Sequence, residues 1–123
     1  MRLKRSRIKQ YSHKTATPKK DREGSSFVEY GSPETFFAEV WPADGKLQAE
    51  MYGQRLPYIR NCRIVGKYEV IADADGKVTY QFDGMALREG DGVCLCAPAE
   101  SEPDYKVIAI RPYVPLYIEV EKL

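Results

Sequence analysis

Residues 116–121, LYIEVE, decide the fold class of this chain. Leu116, Ile118 and Val120 occupy every second position, and the side chains between them are polar or aromatic. Because successive side chains of a β-strand point to opposite faces, this period of two predicts a strand with one buried face. Residues 77–82, KVTYQF, repeat the pattern. The sequence therefore favours sheet over helix at both places.

Three further runs are rich in aromatic and β-branched residues, which favour strands. They cover residues 36–41, 62–71 and 105–110. The third run is apolar at most positions, as expected of a strand covered on both faces. Asp-Gly pairs separate several of the runs, and residues 73–76, DADG, join two of them. Such sequences form tight turns, so we expect a hairpin loop at residues 73–76.

Helical periodicity is weak throughout the chain. The best candidate is residues 45–54, GKLQAEMYGQ, where Leu47 and Met51 are four positions apart but Gly53 interrupts the pattern. Many short strands at regular spacing predict an all-β barrel or sandwich, and we favour a small β-barrel of about six to eight strands. A length of 123 residues suits one domain spanning the whole chain.

Two segments do not fit this pattern of short strands. Residues 14–26, KTATPKKDREGSS, are polar and turn-rich, which predicts an exposed loop or mobile arm. Residues 43–60 are long for a connector in a small barrel. Long ordered loops are more often functional than decorative, so we expect residues 43–60 to make functional contacts.

The net charge of +1 conceals a strong asymmetry. Residues 1–22 hold nine basic side chains and one acid, 9 − 1 = +8, whereas residues 23–123 carry 10 − 17 = −7. We expect a basic arm on a mildly acidic body, with a first strand over residues 7–15 pinned by Ile8. Such an arm suits contact with phosphates or with an acidic protein, and a solvated edge strand would have the same composition.

Chemical motifs are sparse. The longest apolar run is five residues, 93–97, too short to cross a membrane, and no apolar segment of a signal peptide follows the basic start. We therefore expect Cys62, Cys94 and Cys96 to be reduced thiols in a cytosol. Cys94 and Cys96 could face one side of a strand, but a zinc site needs about four ligands. The single histidine, His13, lies among cations on a segment that we expect to be exposed.

Catalysis and metal binding are therefore disfavoured. A nucleophilic triad needs a base held beside a nucleophile, and the setting of the single histidine does not suggest one. Residues 73–76 resemble the start of a calcium loop, but their glycine comes too early and a hairpin turn explains them better. We expect no enzyme activity, no catalytic residue, no metal and no cofactor.

Nine tyrosines could stack on nucleic-acid bases or lie at a protein interface. Tyr52, Tyr58, Tyr113 and Tyr117 fall in expected loops or on outer strand faces. These positions favour a protein interface, because a tyrosine there can bury its ring and keep its hydroxyl in water.

The order of the segments resembles that of the head-closure proteins of tailed bacteriophages, also called head–tail joining or stopper proteins. The resemblance runs from about residue 2 to residue 123 and depends on segment order and on the EVWPADG stretch. Its segments are 20–24 (KDREG), 36–45 (FFAEVWPADG), 62–68 (CRIVGKY), 105–112 (YKVIAIRP) and 116–123 (LYIEVEKL). The strongly basic opening and an extra hairpin over residues 72–82 depart from the family pattern, so the ring contacts could differ.

The resemblance implies a structural protein of the virion neck. Such proteins are small β-barrels that form a homo-oligomeric ring, a hexamer or else a dodecamer, between the portal-bound adaptor and the tail terminator. A long loop near the channel helps to retain packaged DNA. Only residues 44–60 are carried over from the family, as the plug or ring-contact segment. Assembly would take place in the cytoplasm of the bacterial host, without a membrane.

A ring subunit needs two complementary faces, and the basic arm and acidic body offer them. We therefore predict an assembly interface on the arm and a contact with the ring or with channel DNA on the long loop. The predicted arm residues are Arg2, Lys4, Arg5, Arg7 and Lys9, and the predicted loop residues are Lys46, Gln48, Met51, Tyr52, Arg55 and Tyr58.

The alternative function is a nucleic-acid-binding barrel of the OB or SH3-like kind. It predicts salt-sensitive binding to single strands. The charge of −7 on residues 23–123 argues against it, because a binding groove on the barrel should be basic.

Overall fold

The computed structural model describes residues 7–123 as a mostly β structure around one closed barrel. The strands are β1 Ile8–Lys14, β2 Ala16–Lys20, β3 Ser26–Tyr30, β4 Glu34–Pro42, β5 Ile59–Ile64, β6 Tyr68–Ala72, β7 Val78–Phe82, β8 Met85–Leu87, β9 Gly92–Cys94, β10 Tyr105–Arg111 and β11 Leu116–Lys122. Helix α1, Lys46–Tyr52, and the 3₁₀ helix Gly53–Tyr58 connect β4 to β5.

Six strands form the barrel in the order β1-β4-β5-β11-β10-β9, and β9 pairs with β1 to close it. Every neighbouring pair is antiparallel. The prediction of a small all-β barrel is confirmed. The remaining strands form a two-stranded ribbon, β2–β3, and a three-stranded sheet, β6–β7–β8.

Alternating side chains from the six barrel strands fill its interior. Leu116, Ile118 and Val120 are all buried there, as the period of two in residues 116–121 predicts. Residues of β4, β5, β9 and β10 add Phe36, Ala38, Cys62, Ile64, Val93 and Val107, and the sheet β6–β8 adds Phe82, Met85 and Leu87. Burial of these apolar side chains is the main force that holds the barrel together.

The strand registers place both smaller sheets at one end of the barrel. The ribbon β2–β3 connects the end of β1 to the start of β4, and the sheet β6–β8 connects the end of β5 to the start of β9. These strand ends lie together, so both sheets emerge from this end, which we call the hairpin pole. The chain enters β1 and passes from β4 through α1 to β5 at the opposite end.

Residues 14–26 are not a loop, which corrects the prediction from their composition. They finish β1, form β2 and begin β3, and Ala16 pairs with Tyr30 while Lys20 pairs with Ser26. The ribbon has little buried surface, so its residues lack the alternation that reveals a half-buried strand. The predicted first strand over residues 7–15 is confirmed as β1, which begins at Ile8.

Residues 43–60 are also more regular than a long loop, since α1 and the 3₁₀ helix occupy most of them. The helical candidate at residues 45–54 coincides with this region. The predicted strand over residues 62–71 is instead the end of β5 and most of β6, separated by Gly66 with a φ of +119°. The hairpin at residues 73–76 is confirmed.

Of the glycines, Gly92 has the least space for a side chain. A Cβ at this position would lie 2.3 Å from Pro103 Cγ and 2.9 Å from Tyr30 Cε1. We expect Gly92→Ala to reduce the free energy of unfolding by about 1–3 kcal/mol, the usual cost of overpacking, measured by urea denaturation. Gly31→Ala is the control, because its Cβ would meet nothing closer than 3.9 Å. Equal losses in the two variants would contradict the steric explanation.

Candidate assembly surfaces

Helix α1 lies on the barrel with its apolar side outward. Leu47 is 70% exposed and Met51 is 49% exposed, and no residue of the helix is fully buried. Gln48 and Tyr52, also four positions apart, are the half-buried members. A surface helix normally buries its apolar stripe, so this arrangement is inverted. We call Leu47 and Met51 the apolar ridge.

A network of hydrogen bonds, here the polar latch, holds α1 against β5 and β11. Gln48 Nε2 donates to Asn61 Oδ1 at 2.7 Å and to Glu119 Oε2 at 2.7 Å. Tyr117 Oη donates to Asn61 Oδ1 at 2.8 Å, and Arg111 Nη2 donates to Glu119 Oε1 at 3.0 Å. Glu119 is only 1% exposed, and these donors satisfy both of its carboxylate oxygens.

Two half-buried tyrosines at the polar latch have raised pKa values. Burial raises the pKa of Tyr117 to about 12, and the adjacent carboxylate of Glu119 adds to the effect. Burial likewise raises the pKa of Tyr52 to about 12, again helped by Glu119. A phenolate at either position would lose solvation and face a buried negative charge.

The 3₁₀ helix has its own attachment to β11. Arg55 Nε and Nη2 donate to the two carboxylate oxygens of Glu121 at 2.8 Å and 2.6 Å, and the guanidinium lies 5.5 Å from the ring centre of Tyr52. The paired guanidinium lowers the pKa of Glu121. Two parallel hydrogen bonds fix the geometry more firmly than a single ionic contact does.

The predicted loop residues therefore divide into two groups. Gln48 and Tyr52 are half-buried against the barrel, and Arg55, although exposed, ties the segment to Glu121, whereas Lys46, Met51 and Tyr58 are exposed without such a contact to the barrel among the hydrogen bonds described. Sequence reasoning did not select Asn61, Arg111 or Glu119. The alternation of residues 116–121 placed Glu119 on the outer face correctly, but nothing local in the sequence indicated that α1 covers it.

The basic residues do not form one continuous surface in the described part of the chain. Arg7 Nη1 lies 3.7 Å from Glu39 Oε1, and Lys9 is exposed. Lys14 is buried and donates to the carbonyl of Ser101 at 2.6 Å. Residues 16–30 hold three basic and three acidic side chains, 3 − 3 = 0. The predicted arm residues Arg2, Lys4 and Arg5 lie outside the described residues.

His13 is buried, which corrects the expectation that it lies on an exposed segment. Its Nδ1 is 3.0 Å from Glu34 Oε1, and its Nε2 is 2.7 Å from Asp91 Oδ2. Asp91 also accepts hydrogen bonds from the backbone N–H groups of Ala16 and Arg88. Both ring nitrogens are therefore used to join β1 to its neighbours. The basic residues near His13 in the sequence suggested an exposed segment, although the side chain of His13 itself points inward.

Cys94 and Cys96 do not share one face of a strand, although the strand pattern allowed it. Strand β9 ends at Cys94, which is buried, and Cys96 lies beyond it and is exposed. Burial raises the pKa of Cys62 to about 12, so this thiol is a small apolar core residue. Within residues 7–123, no three His, Cys, Asp or Glu side chains converge as a metal ion would require.

An apolar groove separates the ribbon β2–β3 from the sheet β6–β8 at the hairpin pole. It encloses about 570 Å³. Its apolar lining consists of Pro18 and Val28 on one wall, Val78 and Tyr80 on the other, and Ile110 between them. Val28 is 50% exposed and Val78 is 38% exposed, so the groove is open to solvent.

Aromatic side chains extend along the outer wall beside the polar latch. The Tyr117 ring lies 6.2 Å from that of Trp41 and 6.4 Å from that of Tyr113, measured between centroids. Of the four tyrosines predicted at an interface, Tyr58 and Tyr113 are exposed, and Tyr52 and Tyr117 are half-buried around the polar latch. Only the first pair is therefore available to a partner without rearrangement.

Over residues 7–123, no helix combines the length and the apolar character needed to cross a membrane. Comparison of the chain with protein families, curated proteins and solved structures found no match.

The polar latch can be tested by replacing its central amide. We expect Gln48→Leu to lower the free energy of unfolding by about 1–3 kcal/mol, because the buried groups of Asn61 and Glu119 lose a partner. Glu50→Leu is the matched control on the exposed face of α1, and its effect should stay within about 0.5 kcal/mol. Urea denaturation at neutral pH measures both. A comparable loss in both variants would contradict the polar latch.

The raised tyrosine pKa values predict a specific sensitivity to alkali. Above pH 10 the unfolded chain loses phenolic protons that Tyr52 and Tyr117 retain in the fold, so stability is full below pH 10 and falls between pH 10 and 12. We expect a double Phe variant of these tyrosines to show a shallower fall, measured by denaturation at pH 8 to 11. Tyr58→Phe should keep the wild-type slope. An unchanged slope in the double variant would refute this prediction.

Proposed function

We propose that this chain is a non-enzymatic head-closure protein of a tailed bacteriophage. It forms a homo-oligomeric ring in the virion neck between the portal adaptor and the tail terminator, and it helps to retain packaged DNA. The resemblance in segment order suggests the family. The observation that carries the proposal is a rigid barrel with apolar side chains exposed on two separate attachments, α1 and the hairpin pole.

A neck ring needs subunits that contact neighbours through different surfaces. A head-to-tail contact between unlike surfaces generates a ring when the rotation closes. The barrel suits this role, because its closed sheet has no free edge and holds its attachments at fixed positions. Exposed apolar side chains on α1, β3 and β6 supply surface that partners would cover.

The segment from residue 44 to residue 60 is the candidate for contact with the channel. Its exposed cation, Lys46, could approach phosphate, whereas the latched residues fix the segment to the barrel. Contact of this segment with packaged DNA is therefore part of the proposal. The protein would assemble in the cytoplasm of the bacterial host and remain in the virion.

Charge favours this proposal over the nucleic-acid-binding alternative. Residues 7–22 carry 6 − 1 = +5 and residues 23–123 carry −7, so the described chain has a net charge of −2. Its ribbon is electrically balanced, and its open groove is largely apolar. A surface that tracks a nucleic-acid backbone is usually positively charged.

The test of the proposal uses a phage whose genome carries this chain. We expect a stop codon in the gene to leave heads and tails unjoined, with heads that lose their DNA, as seen by electron microscopy and infectious titre. Purified wild-type protein added to the extract should restore joining, and protein lacking residues 1–6 should restore less. Normal virions formed without the protein would overturn the proposal.

A second measurement addresses the alternative. We expect fluorescence anisotropy at about 0.15 M salt to show no submicromolar binding of a short single-stranded oligonucleotide. Tight binding that weakens steeply with added salt would favour the nucleic-acid-binding barrel instead.

A further inference from the structure

The fold leaves two unpartnered apolar surfaces, one on helix α1 and one in the groove at the hairpin pole. The apolar ridge protrudes from the outer wall formed by β5 and β11, and the groove is concave. We propose that the apolar ridge of one copy inserts into the groove of a second copy. This inference deepens the proposed function, on which it rests, by naming the contact through which the ring forms.

The positions of the two surfaces suit a contact between successive copies. In the six-stranded order, β9 and β1 lie opposite β5 and β11. The groove adjoins β9 and β1 through Asp91 and Ala16, and the apolar ridge covers β5 and β11. One copy therefore cannot fill its own groove, and each copy can contact a different neighbour on either side.

Charged residues border both surfaces. On α1, Lys46 and Glu50 lie beside the apolar ridge and are exposed. The groove is bordered by Lys77, Arg88 and Glu89. In one orientation of the docked copies, Glu50 of the helix lies beside Lys77 and Arg88. Lys46 then lies beside Glu89. Opposite charges at the rim of an apolar contact favour one register of docking.

The volume of the groove is large enough to receive two side chains. Its volume of about 570 Å³ lies within the range of sites that enclose small organic groups, and the two ridge side chains are unbranched or singly branched aliphatics. Insertion would bury the apolar side chains of α1, which otherwise face water. It would also cover Val28 and Val78. Both changes remove apolar surface from water, which favours association.

Mixing of two variants tests the contact on purified full-length protein. Leu47→Glu with Met51→Glu removes the ridge but leaves the groove, and Val28→Glu disrupts the groove but leaves the ridge. We expect each variant alone to be monomeric in sedimentation velocity, whereas the wild type associates as its concentration rises. An equimolar mixture should form 1:1 dimers and nothing larger, because only one ridge and one groove remain intact.

Val114→Glu is the matched control, because Val114 is 89% exposed and lies outside both surfaces, and it should associate like the wild type. Circular dichroism checks that each variant is folded, and Val78→Ser replaces Val28→Glu if the latter does not fold. The inference is overturned if the wild type stays monomeric up to millimolar concentration, if the ridge variant associates normally, or if the mixture stays monomeric. None of these outcomes bears on head–tail joining, which the phage experiment measures separately.

Discussion

Three residue pairs between β1 and β9 close the barrel, and the buried imidazole of His13 lies at the centre of that seam. Both of its ring nitrogens are engaged, Nδ1 with Glu34 at 3.0 Å and Nε2 with Asp91 at 2.7 Å. Asp91 in turn fixes the start of β2 through the N–H of Ala16. A short seam thus depends on one buried polar junction, and the hairpin pole is built directly on it.

Apolar side chains occupy two kinds of position in this molecule, the barrel interior and the surface of α1. The barrel interior is filled by buried aliphatic and aromatic residues, as independent folding demands. Outside it, α1 is held by polar contacts and its apolar side chains face water. A chain selected only for monomer stability would gain by turning that helix over. In the proposed contact between copies, a partner would cover this apolar side, and the polar latch would hold the helix in position for it.

The sequence predicted the barrel through features that are local. Alternation in residues 116–121 and 77–82, together with the DADG turn, depends only on neighbours along the chain, so strands and one hairpin could be recognised. The ribbon β2–β3 was missed because it buries too little surface to impose a pattern. The burial of His13 and of Glu119 could not be predicted, because each is covered by elements distant in sequence. The candidate segment at 43–60 was located, but which of its side chains face outward follows only from the polar latch.

The ribbon β2–β3 is stabilised chiefly by its own ladder of hydrogen bonds, since eight of its ten residues are exposed. Two-stranded ribbons of this kind have little stability of their own in water. Its opening therefore does not require the barrel to unfold, and the two parts differ in local unfolding free energy. A neighbour that packed against Val28 would stabilise the ribbon directly, and it would affect the barrel only through the ribbon. If copies associate as proposed, binding at the groove and order in the ribbon are therefore thermodynamically linked, and a bound neighbour would reduce the opening of the ribbon at the hairpin pole.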